Sequence, residues 1–207
     1  PQTAAMSPAA IADEIDERLA LAVDRRRRAD VPVGVFLSGG LDSSLIAALA
    51  RKHHDDVATF TVKFPYASFD ESKHANDVAK ALGTRHTTIE LDRQRCVDGF
   101  ESLLASADQP FSDSSMLPSY LLCQATKSHV TVALGGDGAD ELFFGYPNFK
   151  LLKYAPAMAY LPQVAGGLLR GISRLLPDSA GYMNRRFLLK QLSYGFGQPA
   201  IEQSVHW

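Results

Sequence analysis

Val33-Gly34-Val35-Phe36-Leu37-Ser38-Gly39-Gly40-Leu41-Asp42-Ser43-Ser44 decides how this chain folds. Val33 to Leu37 is a short apolar run without polar alternation, the pattern of a strand buried on both faces of a parallel sheet. Ser38 to Ser44 follows, and then a helical stretch to about His53. Open parallel sheets bind ligands at the carboxyl ends of their strands, which is where this turn lies. Gly39 and Gly40 let a ligand approach the main chain. The N–H groups at the helix start and the hydroxyls of Ser38, Ser43 and Ser44 suit phosphate oxygens. Asp42 is the odd member, because phosphate repels a carboxylate unless a cation lies between them. Mg²⁺ held by Asp42 and by phosphate oxygens is the economical account. The chain has neither the Gly-x4-Gly-Lys-Ser/Thr spacing of a P-loop nor GxGxxG, so those two glycine-loop sites do not fit.

Outward from this segment, strand and helix patterns alternate. Val57 to Phe64, His86 to Leu91 and Val130 to Leu134 read as strands, the last of them buried. Glu71 to Leu82 reads as a helix that Gly83 ends. Helices are also predicted near Gln94 to Ala107 and over Tyr120 to Lys127. A helix from about Ser7 to Arg28 precedes them, with Ser7 as cap, Pro8 in its first turn and a stripe of Ile11, Ile15, Leu19 and Val23. Arg25 to Arg28 read as its solvated basic end rather than a nucleic-acid patch, because acidic residues on the same helix balance them. The alternation predicts an α/β fold, a doubly wound parallel sheet with helices on both faces. Leu151 to Trp207 lacks a strand pattern and reads as a helical lobe. The expected division is a leading helix and linker over 1–30, a core over 31–146 and a helical extension over 147–207. Because the chain opens on Pro1 and shows no compact ending, a longer polypeptide on both sides is expected.

A second loop has the same placement as the first. Val130 to Leu134 runs into Gly135-Gly136-Asp137-Gly138-Ala139-Asp140-Glu141. Its acidic spacing is not that of an EF-hand, and no Glu closes such a loop. The functional reading joins Asp140 to Asp42 on the metal and sets Asp137 nearer the reacting centre. If the two strands lie side by side, both loops face one site.

Composition bounds the rest. The chain has 207 residues, 46% hydrophobic and 21% charged, with a formal net charge of -2, which excludes a disordered chain. It also excludes a strong overall field for nucleic acid or an anionic membrane. The stretch from Ala155 to Leu169 is broken by Pro156 and Pro162 and is too short to span a bilayer, which needs about 20 residues. No secretory signal opens the chain. Cys96 and Cys123 form no CxxC pair, indicate a reducing compartment and read as core residues. His53, His54, His74 and His86 form no metal-ligand spacing. Asp108 to Ser115 reads as a polar loop at the site entrance.

With both loops read, the chain resembles the synthetase domain of glutamine-hydrolysing asparagine synthetases, in the ATP pyrophosphatase (PP-loop) superfamily. Ser38 to Ser44 is similar to that superfamily's signature, and Leu134 to Tyr146, with Asp140-Glu141-Leu142-Phe143, narrows the likeness to the asparagine synthetase group. Asp30 to Leu37, Phe69-Asp70-Glu71-Ser72 and Ala79 to His86 carry it further, so that it covers about Ile11 to Tyr146.

The resemblance implies a Rossmann-like fold of the adenine nucleotide alpha hydrolase type, ATP and Mg²⁺ as cofactors, and a cytoplasmic ligase of asparagine biosynthesis. Aspartate would attack the α-phosphate of ATP, and ammonia derived from glutamine would then attack β-aspartyl-AMP. A glutaminase domain N-terminal to this segment is expected in the full chain, a homodimer is compatible, and neither nucleic acid nor membrane is a partner. By resemblance, Ser38, Gly39, Gly40, Leu41, Asp42, Ser43 and Ser44 bind pyrophosphate. Leu37, Val62, Gly135 and Gly136 contact adenosine, Asp42 and Asp140 bind the metal, and Asp137 stands at the catalytic acid. Three positions depart from the well-characterised members: Asp137 replaces Glu, Gly135 replaces Ser, and Phe144 replaces a Gly. They leave the acceptor open between aspartate and another carboxylate. Rival readings are a tRNA-modifying ATP pyrophosphatase and a non-catalytic nucleotide-binding subunit; the first is disfavoured by the lack of a basic surface or CxxC pair.

Overall fold

Among the described residues, four parallel strands form one sheet in the order β3-β2-β1-β4. They are β1 (Val33–Phe36), β2 (Ala58–Lys63), β3 (Arg85–Glu90) and β4 (Val132–Leu134). The structure is a computed structural model and describes residues 6–65, 70–109, 113, 115–146, 149, 155–160, 162–177 and 185–198. The chain divides into two compact units, Pro1–Asp137 and Gly138–Trp207.

The first unit holds the sheet. Register places Val35 opposite Thr59 on one side and opposite Leu134 on the other. On β2 and β3, Ala58 pairs with Arg85 and Lys63 with Glu90. Strand side chains alternate between faces, and two separate cores follow. Val35, Leu37 and Val57 pack with Ala47 and Ala50 of α2 (Leu41–His53) and Ala75 and Ala79 of α3 (Ser72–Leu82). Leu19, Ala20 and Val23 of α1 (Pro8–Arg27) join this face. Phe60, Ala58 and Ile89 pack on the opposite face with Leu121 of α5 (Met116–Thr126). α4 (Arg93–Ser106) packs on α5. The sheet is thus doubly wound, as the strand–helix alternation requires. Phe60, 1% exposed, contributes about 1.5–3 kcal/mol by burial.

Local signals explain the helix ends. The Ser7 hydroxyl accepts the Ala10 N–H at 3.2 Å and caps α1, with Pro8 opening the first turn. The first turn of α1 carries no acid, whereas Arg25, Arg26 and Arg27 occupy the last turn and favour its dipole. Gly83 ends α3 with φ 66°, donating its N–H to the α3 carbonyls. α5 begins at Met116 rather than Tyr120, because Pro118 falls in the first turn, where no intrahelical donor is needed. β4 is not buried: Val132 is 40% exposed, because the strand lies at the sheet edge.

Two threonines sit in the sheet where apolar residues would be ordinary. Thr59 is fully buried, and its hydroxyl lies 2.9 Å from the Thr84 hydroxyl and 2.8 Å from Nδ1 of His86. A buried hydroxyl costs little only when so partnered. Burial holds the His86 pKa below its ordinary value, and Nε2 of His86 is buried without a hydrogen-bond partner.

The second unit is helical among its described residues. It contains α6 (Ala139–Phe143), α7 (Ala155–Ala159), α8 (Gln163–Leu175) and α9 (Arg185–Tyr194). Gly138 at φ 85° and Phe144 at φ 55° bracket α6. α8 and α9 pack on each other. No helix among the described residues is long and apolar enough to cross a membrane.

Candidate functional site

The order β3-β2-β1-β4 reverses direction between β1 and β4, and a crevice opens outside the carboxyl ends of those strands. Both loops that the motif reading singled out leave the sheet there. Leu37 continues β1 by donating its N–H to Phe60 O at 2.8 Å. The chain then turns at Gly39, whose φ of 85° disfavours any side chain. Packing makes a second demand on Gly39, because a Cβ would lie 2.6 Å from the Ala75 nitrogen of α3.

The turn is braced by its own serines. Ser43 is buried, and its hydroxyl accepts the Ser38 N–H at 3.2 Å and donates to Gly40 O at 3.3 Å. The two hydroxyls of Ser38 and Ser43 lie 2.9 Å apart, and the Ser38 oxygen accepts the Gly40 N–H at 3.2 Å. The Ser43 hydroxyl is therefore committed to loop shape. Gly40 is the N-cap of α2 and supplies no side-chain cap. The first-turn N–H groups of α2 thus receive no side-chain partner from the cap, and the helix start favours an anion.

Gly136 of the second loop meets this turn directly. A Cβ there would lie 2.8 Å from the Ser43 nitrogen and 2.9 Å from Asp42 Cβ. At Gly135 a Cβ would lie 2.6 Å from Oδ2 of Asp137, so the Asp137 carboxylate folds back over that glycine.

A cavity of about 460 Å³ lies over these residues. One wall is apolar, from Phe36, Phe60, Val62, Phe64 and Leu122. The other is polar, from Ser38, Gly40, Asp42, Ser43, Gly136 and Asp137. Leu37 and Gly135 also line it. Three expected residues of the first loop do not. Gly39 is turned to α3, Leu41 is 84% exposed, and the Ser44 hydroxyl is buried without a partner. Asp140 belongs to the second unit, where its backbone carbonyl accepts the N–H groups of Phe144 and Gly145. Beside it the Tyr146 hydroxyl donates to Glu141 at 2.5 Å, which holds the Glu141 carboxyl below its ordinary range.

Motif reading missed a third side of the cavity, formed by Thr61, Glu71, Ser119 and Cys123. Cys123 is exposed, not a core residue, because its side of α5 faces this opening. Cys96 is half-buried against the second core. Glu71 stands within the quoted Phe69 to Ser72 segment, and that position was the one available signal. Of the polar loop over 108–115, residues 110–112 and 114 lie outside the described residues.

The cavity is lined by three carboxylates, Asp42, Glu71 and Asp137, and by no lysine or arginine among the described residues. A polyphosphate entering it needs a hard cation as counter-charge, and carboxylate oxygens are the donors that suit Mg²⁺. Among the described residues no group of three or more His, Cys, Asp or Glu could hold a metal unaided. Mg²⁺ commonly uses only one or two carboxylates beside substrate phosphates.

The family model described as asparagine synthase matches residues 14–204. Asparagine synthetase (glutamine-hydrolysing) 1 of Bacillus subtilis is 33% identical over 165 residues, covering 80% of this chain and 26% of the relative. A Mycobacterium tuberculosis protein, named provisionally as a glutamine-hydrolysing asparagine synthetase, is 36% identical over 166 residues with the same coverage. The amidase chyE of Penicillium rubens is 30% identical over 162 residues, covering 70% of this chain and 24% of the relative. The chain thus spans about a quarter of the length of the curated relatives it matches. Among solved structures, the NH3-dependent NAD synthetase of Campylobacter jejuni aligns with a TM-score of 0.47 at 15% identity, over 93% of this chain and 96% of that one.

Proposed function

The chain belongs to the asparagine synthase family, and from that premise we propose that it carries the ATP-dependent step of an amide-forming ligase. One observation carries the proposal: the second loop packs against the first turn of α2 at Gly136, over a cavity with one apolar and one polar wall. A nucleoside triphosphate has matching halves. Its base suits Phe36, Phe60, Val62 and Phe64, with Leu37, Gly135 and Gly136 at the adenosine, and its phosphates suit the start of α2.

In the reaction proposed, a carboxylate oxygen of aspartate attacks the α-phosphorus and the bond to the β-phosphate oxygen breaks. Pyrophosphate leaves and β-aspartyl-AMP remains. Ammonia drawn from glutamine adds to the acyl carbon, loses a proton and displaces AMP, giving asparagine. The amides that open α2 and the Ser38 hydroxyl stabilise charge growing on the leaving pyrophosphate. Asp137, which lines the cavity, would take the ammonia proton in this reading. Asp42 and Asp140 would hold Mg²⁺, which supplies charge neutralisation on the phosphates. A glutaminase domain, a homodimer and a cytoplasmic setting belong to the same reading.

An acceptor other than aspartate is the second reading. Its support is the pair Gly135 and Asp137, a shorter carboxylate lying back over a residue without a side chain. The test is product identity. With Mg-ATP, aspartate and ammonium, AMP and pyrophosphate should form only when aspartate is present. AMP formed regardless of aspartate would move the acceptor to another carboxylate. ADP would overturn the role given to the Ser38–Ser44 loop.

A further inference from the structure

Glu71 lines the same cavity as Ser38, Gly40 and Asp42, and the reaction above gives it no task. Two anchors fix where it stands. On one side, Asp70 ties the chain to the end of β2. The Asp70 carboxylate accepts the Ser72 N–H at 3.1 Å. Hydrogen bonds from the Ser72 hydroxyl, the Ser72 N–H and the Phe64 N–H hold that carboxyl below its ordinary range. Val62 and Phe64 of the apolar wall lie at this strand end. On the other side, α3 lies against the glycine turn after β1. The Ala75 N–H donates to Glu71 O at 3.1 Å, and a Cβ on Gly39 would meet the Ala75 nitrogen at 2.6 Å. Glu71 therefore stands between the apolar strand end and the polar turn.

Its carboxylate has no hydrogen-bond or ion-pair partner among the described residues. Glu71 is the N-cap residue of α3, yet its side chain makes no cap hydrogen bond. Lys63 donates instead to Glu90 at 2.7 Å, and Lys73 to Asp77 at 3.1 Å. Phosphate is no partner either, because like charges repel. A shared metal is disfavoured as well. Among the described residues no three His, Cys, Asp or Glu side chains could hold a metal, so Glu71 does not converge with Asp42 and Asp137.

Between the base and the phosphates of a nucleotide lies the sugar, whose vicinal hydroxyls are donors. An ionised carboxylate only accepts, and its two oxygens suit two hydroxyls. Such charge-assisted bonds are about twice as strong as neutral ones. Dinucleotide-binding sheets use an acidic residue on the ribose in this way. We propose, resting on the nucleotide reading of this cavity, that Glu71 is a specificity-determining residue: its carboxylate accepts the 2′- and 3′-hydroxyls of the bound nucleotide and so selects a ribose over a sugar without them.

Calorimetric titration of the whole chain with Mg-ATP and with the magnesium complex of 2′,3′-dideoxy-ATP tests the assignment. The wild-type chain should bind ATP about tenfold or more tightly than the dideoxy analogue, the loss expected for hydrogen bonds to a charged group. In Glu71→Ala the ratio of the two affinities should collapse to within about twofold. The side chain is exposed and caps nothing, so the fold should be kept, and matched far-UV circular dichroism checks this. Equal binding of the two nucleotides by the wild-type chain would overturn the proposal while leaving the nucleotide reading in place. A Glu71→Ala chain that keeps the wild-type ratio would overturn it too, and an equal loss of both affinities would assign Glu71 to the phosphates or their metal. No binding of either nucleotide by the wild-type chain would overturn the nucleotide reading and this role with it.

Discussion

Gly136 lies against Asp42: a Cβ at position 136 would stand 2.9 Å from the Asp42 Cβ and 2.8 Å from the Ser43 nitrogen. The neighbours are helix atoms that cannot swing aside. Gly136→Ala should therefore push the second loop off α2. The expected cost is about 1–3 kcal/mol of stability, with Mg-ATP affinity falling about tenfold. Thermal melting and nucleotide titration measure the two effects, and wild-type affinity would show that the contact does not shape the site.

The carboxylates of the cavity should separate by step. Asp42→Ala should abolish Mg-ATP turnover with the fold retained. Asp137→Asn should cut amide formation by about 100-fold or more while ATP binding stays largely intact, as expected of a proton-transfer group. Loss of ATP binding in a folded Asp137→Asn chain would instead make Asp137 a binding residue.

Gly135→Ser acts on the same carboxylate in a different way. The added Cβ would meet Oδ2 of Asp137 at 2.6 Å, and that side chain is free to rotate. Stability should change by less than about 0.5 kcal/mol, as for a surface substitution, while the rate of amide formation or the preferred acceptor shifts. An unchanged acceptor profile and rate would remove Gly135 from the determinants of specificity.

His86 should make stability depend on pH. Burial lowers its pKa from the ordinary 6.5, so the unfolded chain binds the proton more readily than the folded one. Its neutral form supports the fold fully above 6.5, and stability declines as pH falls through that value toward the folded pKa. His86→Gln should flatten this part of the curve in urea melts between pH 5 and about 8. An equally steep curve in the variant would assign the dependence to other groups.

Phe144 stands in the left-handed region at φ 55°, and its ring meets Phe149 edge-on at 5.1 Å. Replacement by either Ala or Gly removes the ring contact, but only Gly removes the backbone strain. Phe144→Gly should be more stable than Phe144→Ala by about 1 kcal/mol. Equal melting of the two variants would show that the strain is relieved elsewhere.

Residue pattern alone located each element of the sheet unit to within a few positions, and the reason is local. Gly83 ends α3 because only its own backbone must turn left-handed. The loops that follow β1 and β4 are legible because glycine clusters there with serine or with aspartate. Val132 and Cys123 depart from the local pattern for the opposite reason. Whether a strand is an edge, or which side of a helix faces an opening, depends on neighbours distant in sequence.

Residue order alone specifies a doubly wound α/β unit, the glycine turn after β1 and the residue types set around it. Those follow from side-chain alternation, left-handed glycine positions and hydrogen bonds between near neighbours. Long-range packing is what pairs β4 with β1, sets Gly136 against Asp42, and makes Phe60, Glu71 and Cys123 complete one cavity. Contacts between residues far apart in the chain depend on the order of strands in the sheet, and no local pattern specifies that order.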